Sequence, residues 1–232
     1  MTLWNDQQKT DLAYCMGHTF EAMTASYEAT GIFVRDGDTR LLATRSDLLL
    51  LEDLCDAIAF IDTLDQTRTL DADLLCAVNG RMTRSASMYP GRIRAHGEDV
   101  FVRTPFGVFV PGTPDMVRLK DALDEGSSAA DALPAACVLF ARLAKMQLFF
   151  DGNKRTALLV ANALLRKHAS TRVLLVPTEH DSRREFLRML CAWYVEDDDA
   201  VVQWLVDFND ARDKRPGYGG SSITAHVIGD SR

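Results

Sequence analysis

The spacing of hydrophobic residues along the chain predicts a mainly helical protein. In residues 5–29, apolar side chains recur at three- and four-residue intervals, the spacing of one buried stripe on a helix, and Gly31 offers an end. Ser46 and Asp71 are typical N-cap residues at the starts of two more helices. Helices are predicted over 46–64, 71–84, 114–125, 131–148, 153–169, 182–195 and 198–212.

A different pattern lies between Gly91 and Pro111. Here β-branched and aromatic residues flank Gly97 and a Thr-Pro-Phe-Gly turn at 104–107, which predicts a β-hairpin. A two-stranded ribbon is only marginally stable alone, so we expect it to pack on the helices. The expected fold class is mainly α with one small hairpin.

The same patterns divide the chain into three parts. Residues 1–45 contain an N-terminal helix and a connector, and residues 46–212 form the helical core with the hairpin at about 91–111. Residues 213–232 have the composition of a linker, with one candidate short strand at 223–228.

Composition narrows the classes of function. The net charge of −7 argues against general affinity for nucleic acid or anionic membranes. The five cysteines include no CxxC pair and the five histidines show no metal-ligand spacing, which argues against zinc or a redox dithiol. The sequence has no apolar run of about 18 residues, and its first residues lack a basic segment followed by an apolar one, so we expect neither a transmembrane helix nor a secretory signal. We therefore expect a cytoplasmic protein without a membrane or nucleic-acid partner.

The strongest candidate for chemistry is the segment 147–158, between two apolar helices. An Asp-Gly-Asn turn at 151–153 precedes the second helix, and Asn153 is a suitable cap for it. The first amides of a helix lack intrahelical partners, so here they face the turn. This arrangement is typical of an anion site.

Two cations follow the turn. Lys154 and Arg155 lie in the first helical turn, where the helix dipole disfavours positive charge unless an anion is bound. We interpret the segment as a phosphate site in which Asp151 holds Mg²⁺ on the phosphate. The alternative is an ordinary helix–turn–helix connection with solvated lysine and arginine side chains.

The segment resembles the signature of the Fic/Doc (Fido) family, in which His-x-Phe-x-Asp/Glu-Gly-Asn-Gly/Lys-Arg lies between two helices. The matching residues are Phe149, Asp151, Gly152, Asn153, Lys154 and Arg155. The Asn-Lys-Arg-Thr-Ala form looks more like the Doc-like branch than the AMP-transferring branch. The resemblance extends over about residues 10–210 and implies a Fido-type helical bundle.

The resemblance also implies an activity. Fic proteins transfer a nucleotide fragment, most often AMP from ATP, to a hydroxyl of a target protein, and Doc-like members transfer a phosphate. In this chain Asp151 is then the expected Mg²⁺ ligand, and Gly152, Asn153, Lys154 and Arg155 are expected to cradle phosphates. The implied cofactors are ATP or another nucleotide and Mg²⁺.

Two further segments resemble the family. The run Gly-Arg-Ile-Arg at 91–94 looks like the flap hairpin, which makes Arg92, Ile93 and Arg94 the expected contacts of a target segment. The run from Thr24 to Glu28 looks like the inhibitory motif Ser/Thr-x-x-x-Glu-Gly/Asn. The target protein and the oligomeric state are not specified by the sequence.

Three residues depart from the family pattern. Gln147 stands at the place of the general-base histidine, and a carboxamide has no usable pKa for accepting a proton. Leu158 stands where AMP-transferring members have a second arginine, and Ala29 stands where the inhibitory motif has Gly or Asn. Glu28 therefore lacks its usual arginine partner. Among the other histidines, only His96 in the predicted hairpin is expected near the loop.

These observations leave three hypotheses. The first is a Fido domain that binds a nucleotide or another phosphate-bearing ligand but is attenuated for hydroxyl transfer, acting as a residual transferase or on a nucleophile that needs no base. The second is a non-catalytic Fido protein that regulates a partner bound at the flap. The third is a helical structural module whose loop binds nothing. Nucleotide binding separates the third from the others, and isotope transfer separates the first two.

Overall fold

The computed structural model describes residues 4–85 and 88–214. Within these ranges lie nine helices: α1 (Asp6–Phe20), α2 (Tyr27–Asp36), α3 (Arg45–Thr63), α4 (Ala72–Asn79), α5 (Met116–Ser128), α6 (Ala132–Met146), α7 (Asn153–Lys167), α8 (His180–Glu196) and α9 (Ala200–Asp213). Strands β1 (Val102–Thr104) and β2 (Gly107–Phe109) pair antiparallel. The expected mainly helical class with one small hairpin is confirmed. The tail from residue 215, with its candidate strand, lies outside the described residues.

The single helix predicted over 5–29 is wrong, because the structure has two helices there. The side chain of Ser26 caps α2 by accepting a hydrogen bond from an amide of its first turn. Before it the chain folds back, with the amide of Met23 donating to the carbonyl of Gly17 at 3.3 Å. Gly31 lies inside α2 rather than at a helix end. Both helices bury residues in the same core, so the apolar stripe conceals the break.

Helix starts follow the chemistry of capping side chains. Thr44 caps α3, so the prediction of Ser46 as the cap is wrong by two residues. Asp71 caps α4 as predicted, but this helix ends at Asn79 rather than near residue 84. Thr and Asp both place an oxygen against the unpaired amides of a first turn.

The hairpin is shorter than the predicted 91–111. It closes at the predicted Thr-Pro-Phe-Gly turn, where the hydroxyl of Thr104 donates to the carbonyl of Gly107 at 2.8 Å. Residues 91–101 form turns and irregular chain instead of strand. Within them the amide of Arg94 donates to the carbonyl of Leu148 at 2.9 Å, which attaches this segment to the chain just before α7.

The centre of the core is formed by α6 and α7. Nearly every residue of α7 is buried, polar side chains included, so this helix is enclosed on all sides. Helices α1, α3, α4, α5 and α6 all pack against α7. The connection between α6 and α7 therefore emerges from the most rigid part of the molecule.

Asn79, at the end of α4, links this connection to the turn at Gly91 through hydrogen bonds. Its fully buried side chain donates to the carbonyl of Asp151 at 3.0 Å and accepts from the amide of Gly91 at 2.8 Å. Gly91 has φ +75°, and a Cβ there lies only 2.8 Å from the carbonyl oxygen of Cys76. No larger residue fits this turn without moving backbone.

We expect Gly91→Ala to lower the free energy of unfolding by about 2–3 kcal/mol, of which about 1 kcal/mol reflects the positive φ and the rest the overlap with backbone. The matched control is Gly97→Ala, since Gly97 has φ +80° with no atom within 4 Å of an added Cβ. Urea denaturation measures both losses. Equal losses in the two variants contradict the proposed close approach at Gly91.

No helix in the described parts of the chain combines the length and hydrophobicity that a membrane crossing requires.

Candidate functional site

The connection between α6 and α7 contains two residues in the left-handed region. Gln147 ends α6 at φ 46° and ψ 53°, and Gly152 precedes α7 at φ 72° and ψ 9°. Between them, Leu148 and Phe149 are at most 2% exposed, and their side chains hold the loop in the core. The loop is thus fixed at its hydrophobic middle and reverses direction at both ends.

The role expected of Asn153 as a helix cap is corrected by the structure. The N-cap of α7 is Gly152, and no side chain caps this helix. The side chain of Asn153 turns back instead, accepting from the amide of Phe149 at 2.8 Å and donating to its carbonyl at 2.8 Å. Asn153 therefore closes the loop on itself, and the uncapped start of α7 retains the anion-binding character of a free helix N-terminus.

Arg155 is almost fully covered, with 1% of its side chain exposed. Its Nε lies 3.0 Å from Oε1 of Glu21, and its Nη2 lies 3.5 Å from Oδ2 of Asp151. Its Nη1 donates to Oγ of Ser85 at 3.0 Å. Two carboxylates and one hydroxyl therefore surround the guanidinium.

Ser85 is held in turn by a buried carboxylate on α3. Its hydroxyl donates to Oδ2 of Asp53 at 2.7 Å, and Asp53 also accepts from the amides of Thr83, Arg84 and Ser85. Asp53 is fully buried. This carboxylate fixes the 83–85 segment beside the arginine.

Glu21 is one of the residues of the site that the sequence did not reveal. It follows the last residue of α1, and no motif marks it. Burial raises the pKa of its carboxyl, and the positive charge of Arg155 opposes that rise. Burial also lowers the pKa of Lys154, the second cation of the segment. Its Nζ lies 5.5 Å from the ring centre of Phe20, the residue before Glu21.

These residues surround a cavity of about 170 Å³. It brings together six residues predicted from the sequence: Gln147, Asp151, Gly152, Asn153, Lys154 and Arg155. Glu21, Val102, Phe150 and Tyr194 complete the lining. The hairpin therefore contributes one wall through β1, and α8 contributes another.

Gln147 faces this cavity with its amide already engaged. Its Nε2 donates to the carbonyl of Ala144 at 2.7 Å, and its Oε1 accepts from Nδ2 of Asn153 at 3.2 Å. The residue is buried, with 8% exposed. Neither end of the carboxamide is placed to accept a proton.

The two residues of the inhibitory-like motif lie away from the cavity. The hydroxyl of Thr24 donates to Oδ2 of Asp47 at 2.6 Å, which ties the turn before α2 to α3. Glu28 is exposed in the first turn of α2 and does not line the cavity. The carboxylate that reaches Arg155 is Glu21 instead.

The three residues expected at a target have different surroundings. Arg92 is exposed and pairs with Glu98 through two hydrogen bonds of 2.9 and 2.8 Å, while Ile93 packs partly against the core. Arg94 is buried, and its guanidinium donates to the carbonyls of Gln147 and Glu98. In this structure its donors serve the fold.

His96 does not line the cavity. Its Nδ1 lies 3.2 Å from the hydroxyl of Thr113, and its side chain is exposed.

The sequence of the region that carries most of the site matches a known family model: residues 69–165 match the model of the Fic/DOC family. A search of curated proteins gave no match. The family match begins before α4 and ends within α7, so it includes the hairpin, the loop and most of the cavity.

Several solved structures share the fold of this chain. A Fic domain containing signalling protein from Bacteroides thetaiotaomicron superposes with a TM-score of 0.69 at 19% identity, covering 90% of this chain and 82% of that one. A Fic family protein from Desulfovibrio desulfuricans gives 0.66 at 22% identity, covering 89% and 63%. Fic-1 (residues 134–508) from C. elegans, with an E274G substitution, gives 0.67 at 19%, covering 88% and 61%. This chain thus spans less than two thirds of the last two.

Proposed function

We propose that the Fic/Doc domain binds a nucleotide with Mg²⁺ at the start of α7 and is attenuated for transfer to hydroxyl groups. The observation that carries the proposal is the cavity at the uncapped start of α7, lined by Lys154 and Arg155. Backbone amides, a helix dipole and two cations form a suitable environment for phosphate oxygens. A guanidinium adds two parallel donors that match a phosphate.

The chain also offers a carboxylate for Mg²⁺. Asp151 lines the cavity with its side chain about half exposed, and its Oδ1 accepts from the amide of Gly152 at 2.6 Å. Mg²⁺ in nucleotide sites is commonly held by one or two carboxylates together with phosphate oxygens and water. Asp151 fits that role, and when bound the ion supplies charge neutralisation to the phosphates.

Attenuation follows from Gln147. Where related Fic proteins carry a histidine, this residue presents a neutral amide whose two ends already bind Ala144 and Asn153. A missing general base costs about 10²–10⁴-fold in rate. Gln147 lines the cavity, and a carboxylate or phosphate nucleophile, which needs no base, remains compatible with the site.

The structure supports a second candidate through one observation on the hairpin. Phe101, Val108 and Val110 are each about 60% exposed, an apolar surface next to the cavity wall. Within the described residues, each strand pairs only with the other. The second candidate is therefore a non-catalytic regulator that binds a segment of a partner protein on this exposed surface of the hairpin. Incubation with labelled nucleotide distinguishes the candidates, because only the transferase labels a protein.

Calorimetric titration with ATP, GTP, CTP and UTP, each with and without Mg²⁺, tests the proposal. We expect saturable binding of at least one nucleotide, strengthened by Mg²⁺. Folded protein that binds none of them at millimolar concentration contradicts the proposal and leaves the structural-module hypothesis.

Glu21 predicts how this binding responds to charge and pH. Its carboxylate lies 3.0 Å from Nε of Arg155, where it competes with a phosphate. We expect Glu21→Gln to tighten nucleotide binding about tenfold, or ~1.4 kcal/mol. The pKa of Glu21 is raised, so acidification from pH 7 neutralises it early and tightens wild-type binding in the same direction. This pH effect is absent in Glu21→Gln.

The raised pKa of Glu21 also determines how its contribution to stability changes with pH. A carboxyl whose pKa is raised by folding stabilises the protein below its unfolded pKa, and this contribution is lost as pH rises through the folded value. Glu21→Gln should therefore not lower Tm at pH 7. Glu28→Gln is the matched control, because Glu28 is exposed and does not line the cavity. Equal affinities in both variants and in wild type contradict the competition.

A further inference from the structure

The three nitrogens of the Arg155 guanidinium have different surroundings. Nε lies 3.0 Å from Oε1 of Glu21 and Nη2 lies 3.5 Å from Oδ2 of Asp151, and both of these carboxylates belong to residues that line the cavity at the start of α7. Nη1 donates instead to Oγ of Ser85 at 3.0 Å, and Ser85 is not among the described residues that line this cavity. The guanidinium is therefore held at one corner from outside the cavity, and its other two nitrogens lie beside groups of the cavity wall.

The hydroxyl of Ser85 has its proton directed away from Arg155. A hydroxyl offers one proton and two lone pairs. The proton of Ser85 is donated to Oδ2 of Asp53 at 2.7 Å, and the amide of Ser85 donates to the same oxygen at 2.7 Å. Asp53 is fully buried, so its carboxylate is shielded from water. Ser85 therefore presents only lone pairs to the guanidinium, and Asp53 fixes both its side chain and its backbone.

The contact with Ser85 also differs from the other two contacts in charge. Glu21 and Asp151 are acidic, so a phosphate must displace their carboxylates or share the guanidinium with them. Ser85 is neutral, and its bond to Nη1 can persist while an anion binds to Nε and Nη2. Those two nitrogens form one edge of the planar fork, and arginine donates two parallel hydrogen bonds to a phosphate through such an edge.

We propose that Ser85 is a positioning residue, which holds Nη1 of Arg155 so that Nε and Nη2 together donate to a phosphate of the bound nucleotide. The inference rests on the proposed function and adds a residue outside both the 147–155 segment and the hairpin. A long arginine side chain loses rotamer freedom when it binds a ligand, and this loss lowers affinity. A guanidinium that Ser85 has already ordered avoids most of that loss.

Ser85→Ala tests this role by removing the hydroxyl alone. Calorimetry with Mg²⁺ and ATP, or with the one of GTP, CTP and UTP that wild type binds most tightly, should show affinity reduced about 3- to 10-fold, the effect of one net hydrogen bond. Ser85→Thr keeps the hydroxyl and should retain most of the affinity of wild type.

The decisive measurement repeats Ser85→Ala in the Arg155→Ala background. A residue that acts only through Arg155 has nothing to position there, so the second substitution should change affinity less than about twofold. A residue that merely stabilises the fold lowers affinity by the same factor in both backgrounds.

Thr67→Ala is the matched control. The hydroxyl of Thr67 likewise donates to an aspartate, Oδ1 of Asp65 at 2.7 Å, and neither residue lines the cavity. This variant should bind nucleotide as wild type does, because the hydroxyl that it loses belongs to a turn after α3 and not to the site.

Three outcomes overturn the inference. If Ser85→Ala binds as wild type does while Arg155→Ala is weakened, the proposed function stands and the positioning role of Ser85 is refuted. If Ser85→Ala lowers affinity equally in both backgrounds, the residue is structural. If wild type binds no nucleotide, the proposed function and this inference fail together.

Discussion

Replacing Gln147 with histidine is expected to raise transfer to protein hydroxyls, self-modification included, by about 10²–10⁴-fold, the contribution of a positioned general base. The backbone accepts the change, because Gln147 already has φ 46° and histidine is among the side chains enriched in that region. The imidazole then faces the cavity that Asp151 and Arg155 line. Bound phosphates raise its pKa, so activity should climb with pH as the base loses its proton.

The assay incubates a labelled form of the bound nucleotide with cell lysate and wild type, Gln147→His or Gln147→Ala. A gain confined to the histidine variant supports attenuation. Equal labelling by wild type and the alanine variant shows that transfer proceeds without residue 147. Strong labelling by wild type that is abolished in Gln147→Ala contradicts attenuation, because glutamine is then the active residue.

Replacing Arg155 with alanine is expected to weaken nucleotide binding about 10- to 150-fold, or ~1.5–3 kcal/mol, the value of charge-assisted hydrogen bonds to phosphate. The loss is a net value, because Arg155 must exchange contacts with Glu21, Asp151 or Ser85 for those with the ligand. Calorimetry measures the affinity, and circular dichroism confirms that the variant is folded.

Arg155→Lys is the matched variant for this experiment. It keeps the positive charge and removes the planar pair of donors, so an intermediate affinity is expected. Unchanged affinity in folded Arg155→Ala contradicts the assignment of this arginine to the phosphate site.

The sequence was sufficient where local chemistry decides the structure. Asp71 caps α4 because a short side-chain oxygen reaches the free amides of the first turn whatever surrounds it. The apolar helices on both sides of the 147–153 loop were likewise visible as periodic patterns, and the loop lies between them as predicted. Most of the cavity lining comes from this one contiguous segment.

Local rules failed where a distant contact outweighs them. Asn153 has the right chemistry for a cap, yet its side chain binds Phe149 and leaves the cap to Gly152. Glu21 and Ser85 reach Arg155 across large separations in sequence, and neither belongs to a motif. Tyr194 was not predicted for the same reason, because it lies on α8, far along the chain from the loop whose cavity it lines.

The two segments that contact Arg155, one containing Glu21 and the other Ser85, are both hydrogen-bonded to α3. Asp53 of this helix binds the 83–85 segment, and Asp47, between one and two turns earlier, binds Thr24 in the segment that follows Glu21. The two segments beside the arginine are therefore expected to open only when α3 opens. The free energy of opening is then the same for both, as it is not for two independent surface loops. In hydrogen exchange, the amides of residues 83–85, which donate to Asp53, and the amide of Thr24 should lose protection together as α3 opens. The site is then lost in one cooperative step when the protein unfolds.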